Sequence, residues 1–389
     1  MKRIIKRVWN YFLYYFSGFI GNFIPIKNNR ILCWSYSGKQ FSCNPAYITK
    51  YIIENHKDEY EIIWMFIKGK DTTNIPKGVK IVRYGTIRHL VALNSAKFII
   101  TNSRTDYVWS LWHKKSKQKY IMTWHSSMGI KKVELDADWN FQDYIDMAKK
   151  DSERCDLILS GSKFRTEVIK RAFQYNGEIL EAGTPRNDIF FKTNNASTIR
   201  KKIFQLYDIP TDKKVVLYAP TFRKKTSLDY YKINWTFIKK SLNEKFNSDF
   251  FLLIRLHPNL IGKDIDLISF YKSDDIKNVT NYDDMQELLV ISDILITDYS
   301  SSMFDFALTK RPCYIYANDT KEYERGTYFN IESLPFLFAQ KESKLIENID
   351  NFDYEAYVLS LNHFVNNVIF SYEHGHACEC FYEWIKKQK

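Results

Sequence analysis

The sequence predicts an α/β protein of the doubly wound kind, built as two Rossmann-like domains whose parallel sheets face a central cleft. Three observations predict it. Short apolar runs rich in β-branched and aromatic residues recur along the whole chain with helical spacers between them, the pattern of parallel βαβ units rather than of a sandwich. At 389 residues the chain exceeds a usual single domain. The runs also fall into two sets, parted by the polar, turn-rich stretch KTNNASTIRKKIFQLYDIPTDK (192–213).

In the first set the expected strands are ILCWSY (31–36), EIIWMFI (61–67), VKIVRY (79–84), KFIITN (97–102), KYIMTW (119–124), CDLILSG (155–161) and GEILEAG (177–183). In the second they are KKVVLYAP (213–220), DFFLLIRLHP (249–258), IKNVTN (276–281), ISDILITD (291–298) and RPCYIYA (311–317). The division expected from this pattern is an N-terminal domain over 29–195 and a C-terminal domain over 196–389. Residues 1–28 form a separate segment, in which a basic cluster precedes an uncharged, aromatic stretch from Val8 to Ile26. Asn10, Ser17, Gly18, Gly21, Asn22 and Pro25 dilute that stretch below a strong membrane span, whereas aromatics flanked by Lys and Arg suit a segment lying in the headgroup layer; a span and an ordinary packed helix are the alternatives.

Composition narrows the function. Lys+Arg 57 against Asp+Glu 45 leaves a formal charge of +12, which favours anionic partners such as phosphorylated metabolites, phospholipid headgroups or nucleic acid. The lysines are dispersed over both halves and no nucleic-acid module is recognisable, so nucleic acid drops out. The 27 Tyr, 28 Phe and 9 Trp suit a membrane interface, stacking on sugars or bases, or large cores. Six scattered cysteines make no compact framework and imply a reducing setting. GxGxxG, Walker A and HExxH sequences are absent, which leaves dinucleotide, NTPase and zincin chemistry unsupported. HGHACEC (374–380) has the residue types of a zinc site without a ribbon's or finger's spacing.

In open α/β sheets ligands gather where strands end, so side chains directly after strands are the candidates. His125 follows KYIMTW and precedes small residues and the Lys131–Lys132 pair, the makings of a general base beside an anion site. A hydrogen-bonded strand-end histidine is the bland alternative. YAPTFRKK offers the Thr221 hydroxyl and the Arg223 guanidinium to an anionic oxygen, or else a solvated basic loop. Arg255 and His257 follow the next strand in RLHP. ITDYSSSMFDFAL (296–308) runs from a strand through Asp298 into serines, with Ser300 and Ser301 at the start of a helix, where hydroxyls and unpaired amides either cradle a pyrophosphate or merely cap. Arg325, in the loop after the last of these strands, can complete a phosphate clamp.

Taken in order, TWHSSMGIKK (123–132), GTPRND (183–188), YAPTFR, RLHP, SDILITDYSSSMFDFAL and RPCYIYANDTKEYERGTYFN (311–330) resemble the CDP-glycerol glycerophosphotransferase family of teichoic acid synthesis, and the likeness runs from about residue 30 to 380. The resemblance implies a GT-B arrangement with a CDP-alcohol held mainly by the C-terminal domain. It implies a peripheral protein on the cytoplasmic face of the cell membrane, moving glycerol phosphate from CDP-glycerol to a lipid-linked glycan or glycerol phosphate acceptor, with CMP released and no cofactor. Carried to this sequence, it implies His125 as base for the acceptor hydroxyl and His257 at the donor phosphates. Thr221, Arg223, Ser300, Ser301 and Arg325 would line the pyrophosphate, while Asp298 and Asp305 hold the loop in shape. The chain departs from the family pattern after His125, where Ser126, Ser127 and Met128 replace the usual Gly-Thr-Pro. A CDP-ribitol transferase is the nearest alternative, and an NDP-sugar glycosyltransferase is the next.

Overall fold

A computed structural model of the chain describes residues 8, 15–105, 112–137, 141–192, 195–223, 230–257, 273–320, 323 and 326–388. Two fully parallel sheets organise it. The first contains β1 (Lys27–Trp34), β2 (Glu61–Phe66), β3 (Lys80–Arg83), β4 (Ala96–Thr101), β5 (Lys119–Met122), β6 (Leu157–Ser160) and β7 (Glu178–Glu181), in the order β3-β2-β1-β4-β5-β6-β7. The second contains β8 (Lys214–Ala219), β9 (Phe250–Ile254), β10 (Ile276–Asn278), β11 (Ile294–Thr297), β12 (Cys313–Tyr316) and β13 (Leu337–Ala339), in the order β10-β9-β8-β11-β12-β13. Each sheet therefore reverses direction beside its own first strand, at the β1/β4 and β8/β11 neighbours, which is the doubly wound order. Every strand expected from the sequence is present, and β13 is additional.

The strands are nearly continuous apolar runs because helices cover both faces of a parallel sheet. Ile31, Cys33, Trp64, Phe66, Phe98, Ile100 and Ile121 meet Ile48 and Ile52 of the helix Cys43–Asn55 in the first core. Trp34, Trp64, Trp112, Tyr120, Tyr175, Tyr218, Tyr231 and Tyr314 are fully buried. Much of the aromatic excess is thus spent on two cores. None of the six cysteines forms a disulfide.

The compact units are not contiguous in sequence. One comprises Met1–His125, Trp139–Asp188 and Tyr372–Lys389, the other Ser126–Asp138 and Ile189–Ser371. The sequence pattern put 196–389 in one body, but Phe381, Tyr382, Trp384 and Ile385 of the last helix (Ala377–Lys386) bury their apolar face in the first core. GTPRND latches this return. Gly183 has φ +92, and a Cβ there would lie 2.9 Å from the Tyr372 carbonyl oxygen, so only glycine lets the returning segment pass this closely. The Thr184 amide and the Asn187 side chain donate to Glu373 at 3.0 and 3.2 Å. Asp188 accepts from the Ala377 and Cys378 amides at 2.9 and 2.8 Å, satisfying donors that the start of the last helix leaves open. HGHACEC is accordingly the entry to a helix, with His376 Nδ1 3.1 Å from Glu379 and Cys378 buried.

Before β1, residues 15–23 are helical. Gly18 approaches the His113 ring and Gly21 the Asn94 side chain, so the small residues face the protein. Phe16, Phe19 and Phe23 fall at helical spacing and stay 46%, 66% and 74% exposed. Among the described residues no helix is long and apolar enough to cross a membrane. The basic cluster at residues 2–7 lies outside the described residues.

Candidate active site

At the carboxyl end of the first sheet, β1, β4 and β5 deliver Tyr36, Asn102 and His125. Thr123 continues the ladder by donating to the Thr101 carbonyl at 2.8 Å, and Trp124 then turns the chain with φ 51. That conformation is unfavourable for a bulky residue and is held from outside. The Asn44 amide donates to the Thr123 and Trp124 carbonyls at 3.1 and 3.0 Å, and the Trp124 ring lies under the Arg165 guanidinium at 5.4 Å. His125 emerges half-buried, its ring 4.4 Å from that of Trp124 and 6.0 Å from that of Tyr36. Its Nδ1 is 3.0 Å from the Asn102 carbonyl. A carbonyl only accepts, so Nδ1 carries the hydrogen and Nε2 is the basic nitrogen.

At the carboxyl end of the second sheet, Pro220 closes β8 and Asp298 follows β11. The Asp298 carboxylate accepts from the Thr221 amide at 2.9 and 3.0 Å and from Arg223 Nη2 at 2.9 Å. Arg223 also pairs through Nε with Asp319, reaches Asp319 Oδ1 from Nη2 at 3.0 Å, and donates from Nη1 to the Thr221 carbonyl and hydroxyl at 2.9 and 2.6 Å. All five guanidinium hydrogens are therefore occupied. Burial opposes the charge, but the hydrogen bonds and charges of Asp319 and Asp298 outweigh it and raise the Arg223 pKa above its already high ordinary value. The guanidinium also lies 5.2 and 5.4 Å from the rings of Tyr299 and Tyr323, which stack on each other at 3.6 Å.

The serines stand on the next turn. The helix Ser302–Ala307 is short, and Ser300 Oγ accepts from the Ser302 amide and hydroxyl at 3.3 and 2.8 Å. Ser301, at the capping position, makes no side-chain capping bond, and both Ser300 and Ser301 are partly exposed. Asp305 accepts from Ser127 at 3.1 Å and from Gln286 at 2.9 Å, fixing the loop after His125 to this unit. Residues 130–132 pair with 326–328: Tyr328 donates its amide to Ile130 at 2.7 Å and Lys132 to Gly326 at 2.9 Å. This places Lys131 Nζ 5.7 Å over the Tyr323 ring. Arg255 is half-buried and His257 exposed after β9, with the His257 ring 5.7 Å from that of Phe222.

Comparison with known proteins shows the family of the chain. The model of the CDP-glycerol:poly(glycerophosphate) glycerophosphotransferase family matches residues 18–387. The chain belongs to this family. A teichoic acid glycerol-phosphate transferase of Staphylococcus aureus (strain NCTC 8325 / PS 47) is 33% identical over 86% of this chain and 86% of its own length. A teichoic acid poly(glycerol phosphate) polymerase of Bacillus subtilis (strain 168) is 33% identical over 85% of this chain, which spans 45% of that protein's length. A ribitol-phosphate primase of Bacillus spizizenii (strain ATCC 23059 / NRRL B-14472 / W23) is 26% identical over 86% of the chain. Among solved structures, a variant of the wall teichoic acid polymerase TagF superposes with a TM-score of 0.84 at 29% identity, covering 99% of this chain and 95% of that one. The two Rossmann-order sheets are thus the paired α/β domains of a GT-B-like glycerophosphotransferase.

Within this glycerophosphotransferase the expected site residues sort differently from their sequence neighbourhoods. Lys131, grouped by sequence with His125, joins Thr221, Arg223, Asp298, Ser300 and Ser301 in the second unit, because its segment pairs with 326–328. Arg223 stands where it was expected but spends its donors on Asp319, Asp298 and Thr221, so it builds the loop instead of presenting an open clamp. Arg325 lies outside the described residues. Sequence reasoning missed Tyr36, Asn102, Asp319 and Tyr299. The polar Asn-Ser pair directly after KFIIT was a usable signal for Asn102 under the strand-end rule; Asp319 has no local signal.

Proposed function

We propose that the chain transfers glycerol phosphate from CDP-glycerol to a hydroxyl of a lipid-linked acceptor in the synthesis of teichoic acid or a related cell-surface polymer, with His125 as the general base. The observation that carries this reading is the His125 imidazole at a strand end, with Nδ1–H given to the Asn102 carbonyl and Nε2 left as the basic nitrogen. Nε2 takes the proton of the acceptor hydroxyl as its oxygen attacks the glycerol-bearing phosphorus. A new P–O bond forms, the bridging P–O bond breaks, and CMP leaves with the bond's electron pair. No covalent enzyme intermediate is required.

Charge on the transferring phosphoryl group calls for fixed donors and cations. Ser300, Ser301, Thr221, Lys131 and Arg255 supply them, with His257 beside the donor phosphates. Arg223 and Asp298 serve as positioning residues that hold Thr221. Glycerol is favoured over ribitol because relatives named for glycerol phosphate are 33% identical and the ribitol-phosphate primase 26%.

The exposed Phe16, Phe19 and Phe23 support a peripheral seat on the cytoplasmic membrane face, where an amphipathic helix buries its apolar side among headgroups. A net charge of +12 adds attraction to anionic lipid.

The test is CMP release by the purified chain with CDP-glycerol, CDP-ribitol and a UDP-sugar panel, each with a synthetic lipid-linked acceptor in detergent. Acceptor-dependent CMP from CDP-glycerol supports the reading; turnover of UDP-sugars alone overturns it.

A further inference from the structure

Three unusual features meet at one point of the first unit, at the carboxyl ends of the paired strands β1 and β4. The first is backbone strain. Tyr36 and Ser37, directly after β1, have φ 46 and 59, and Trp124, after β5, has φ 51. None is glycine, and none is Asn or Asp, the types that tolerate this region. Such conformations are unfavourable for these residue types and persist only where the surroundings impose them.

The second is that one residue ties the strained segments together. Asn102 Oδ1 accepts from the Tyr36 amide at 2.8 Å, and the Asn102 carbonyl accepts from His125 Nδ1 at 3.0 Å. Its side chain thus fixes the turn that carries the Tyr36 ring, while its backbone fixes the tautomer and orientation of His125. The two rings, both half-buried, stand 6.0 Å apart.

The third is an unmet cost. Asn102 is 0% exposed, and its Nδ2 has no hydrogen-bond partner among the described residues. A buried donor left unpaired is destabilising, so stability alone does not account for an amide here. What the amide provides is the acceptor for Tyr36.

We infer that Asn102 is the positioning residue of the proposed base, through its carbonyl, and that Tyr36 is a wall of the acceptor site held by the Asn102 side chain, the two set in register by this one residue. The inference rests on His125 being the base. The Tyr36 ring offers an apolar face to the carbon backbone of a polyol or sugar acceptor, whose hydroxyl then faces the adjacent imidazole. Asn102 touches no substrate; it acts through Tyr36 and His125.

The experiment is steady-state CMP release by the full chain carrying Asn102→Ala, Tyr36→Ala, Tyr36→Phe or His125→Ala, varying acceptor and CDP-glycerol separately, with CDP-glycerol affinity measured by calorimetry. Asn102→Ala keeps the carbonyl that holds His125 but frees the Tyr36 turn, so it is expected to raise the acceptor KM as Tyr36→Ala does and to lower kcat by about ten- to a hundredfold through misplacement of the acceptor hydroxyl. Tyr36→Ala is expected to raise the acceptor KM, and Tyr36→Phe, which keeps the ring, to raise it less. Donor affinity is expected to hold in all four. If His125→Ala still transfers, the base assignment itself is wrong. If His125→Ala is inactive while Asn102→Ala and Tyr36→Ala keep the parent kcat and acceptor KM, the positioning inference alone is overturned. Tyr36 is half-exposed, so its variants still decide the question should Asn102→Ala fold poorly.

Discussion

Arg223 and Asp298 lie 75 residues apart in sequence and 2.9 Å apart in space, and their pairing welds the end of β8 to the end of β11. Both are buried, at 7% and 2% exposure, and Asp319 closes the group from the other side. Removing one member of a buried ionic cluster leaves charge without compensation, which costs about 3–5 kcal/mol. Arg223→Ala is therefore expected to lower the thermal unfolding midpoint markedly and to lose CDP-glycerol binding as a consequence. Scanning calorimetry checks this. An unchanged midpoint with donor affinity lost would instead mean that Arg223 grips the phosphates directly.

The latch made by GTPRND gives a second expectation. Asp188→Ala removes the acceptor for the Ala377 and Cys378 amides and should destabilise by about 1–2 kcal/mol, the usual worth of a helix cap. Gly183→Ala should cost more, because its Cβ meets the Tyr372 carbonyl at 2.9 Å and its φ is +92. Limited proteolysis near the C-terminus, followed by denaturant melts, reports both. Cleavage and melts identical to the parent would show that the returning helix does not depend on the latch.

His89 gives stability a pH dependence of known sign. It is fully buried in the helix Ile87–Ser95, accepts from the Gly85 amide on Nδ1 at 3.3 Å, and burial lowers its pKa from 6.5 to about 4. The unfolded chain takes up a proton at this site from pH 6.5 downward and the folded chain only near 4, so stability is lost as pH falls through that window. The loss amounts to up to about 3 kcal/mol at the acid end. Urea melts between pH 7 and 4 should show this slope, and His89→Gln should flatten it. An equal slope in the variant would place the acid sensitivity elsewhere.

For the membrane seat, replacing Phe16, Phe19 and Phe23 together by Ser should reduce partitioning onto anionic vesicles at least about tenfold, since each buried phenyl side chain is worth about 1.5–3 kcal/mol. CMP release from a detergent-solubilised acceptor should be much less affected. Vesicle sedimentation separates the two, and unchanged partitioning would mean that these aromatics face something other than lipid.

The sequence carried the strands because parallel βαβ units leave a repeated apolar signature, and every run from ILCWSY to RPCYIYA lies on a strand. It missed β13, whose three residues at a sheet edge are too few to show a period. The placement of His125, Thr221 and Asp298 at strand ends was legible from the apolar runs that precede them. The state of Arg223 was not, because Asp319, its decisive partner, sits 96 residues away. Lys131 was read with His125 for want of any local sign that 130–132 would pair with 326–328. Nor does composition announce a left-handed tyrosine: Tyr36 reads as the last residue of a strand, whereas β1 stops at Trp34 and the chain turns.

The base role of His125 is tested most directly by His125→Ala, assayed for CMP release with CDP-glycerol and acceptor and, on the same preparation, for CDP-glycerol binding by calorimetry. Loss of transfer by at least about a hundredfold with donor affinity retained is the predicted result. Transfer at the parent rate, or loss of donor affinity in proportion to activity, would contradict the assignment of His125 as the base for the acceptor hydroxyl.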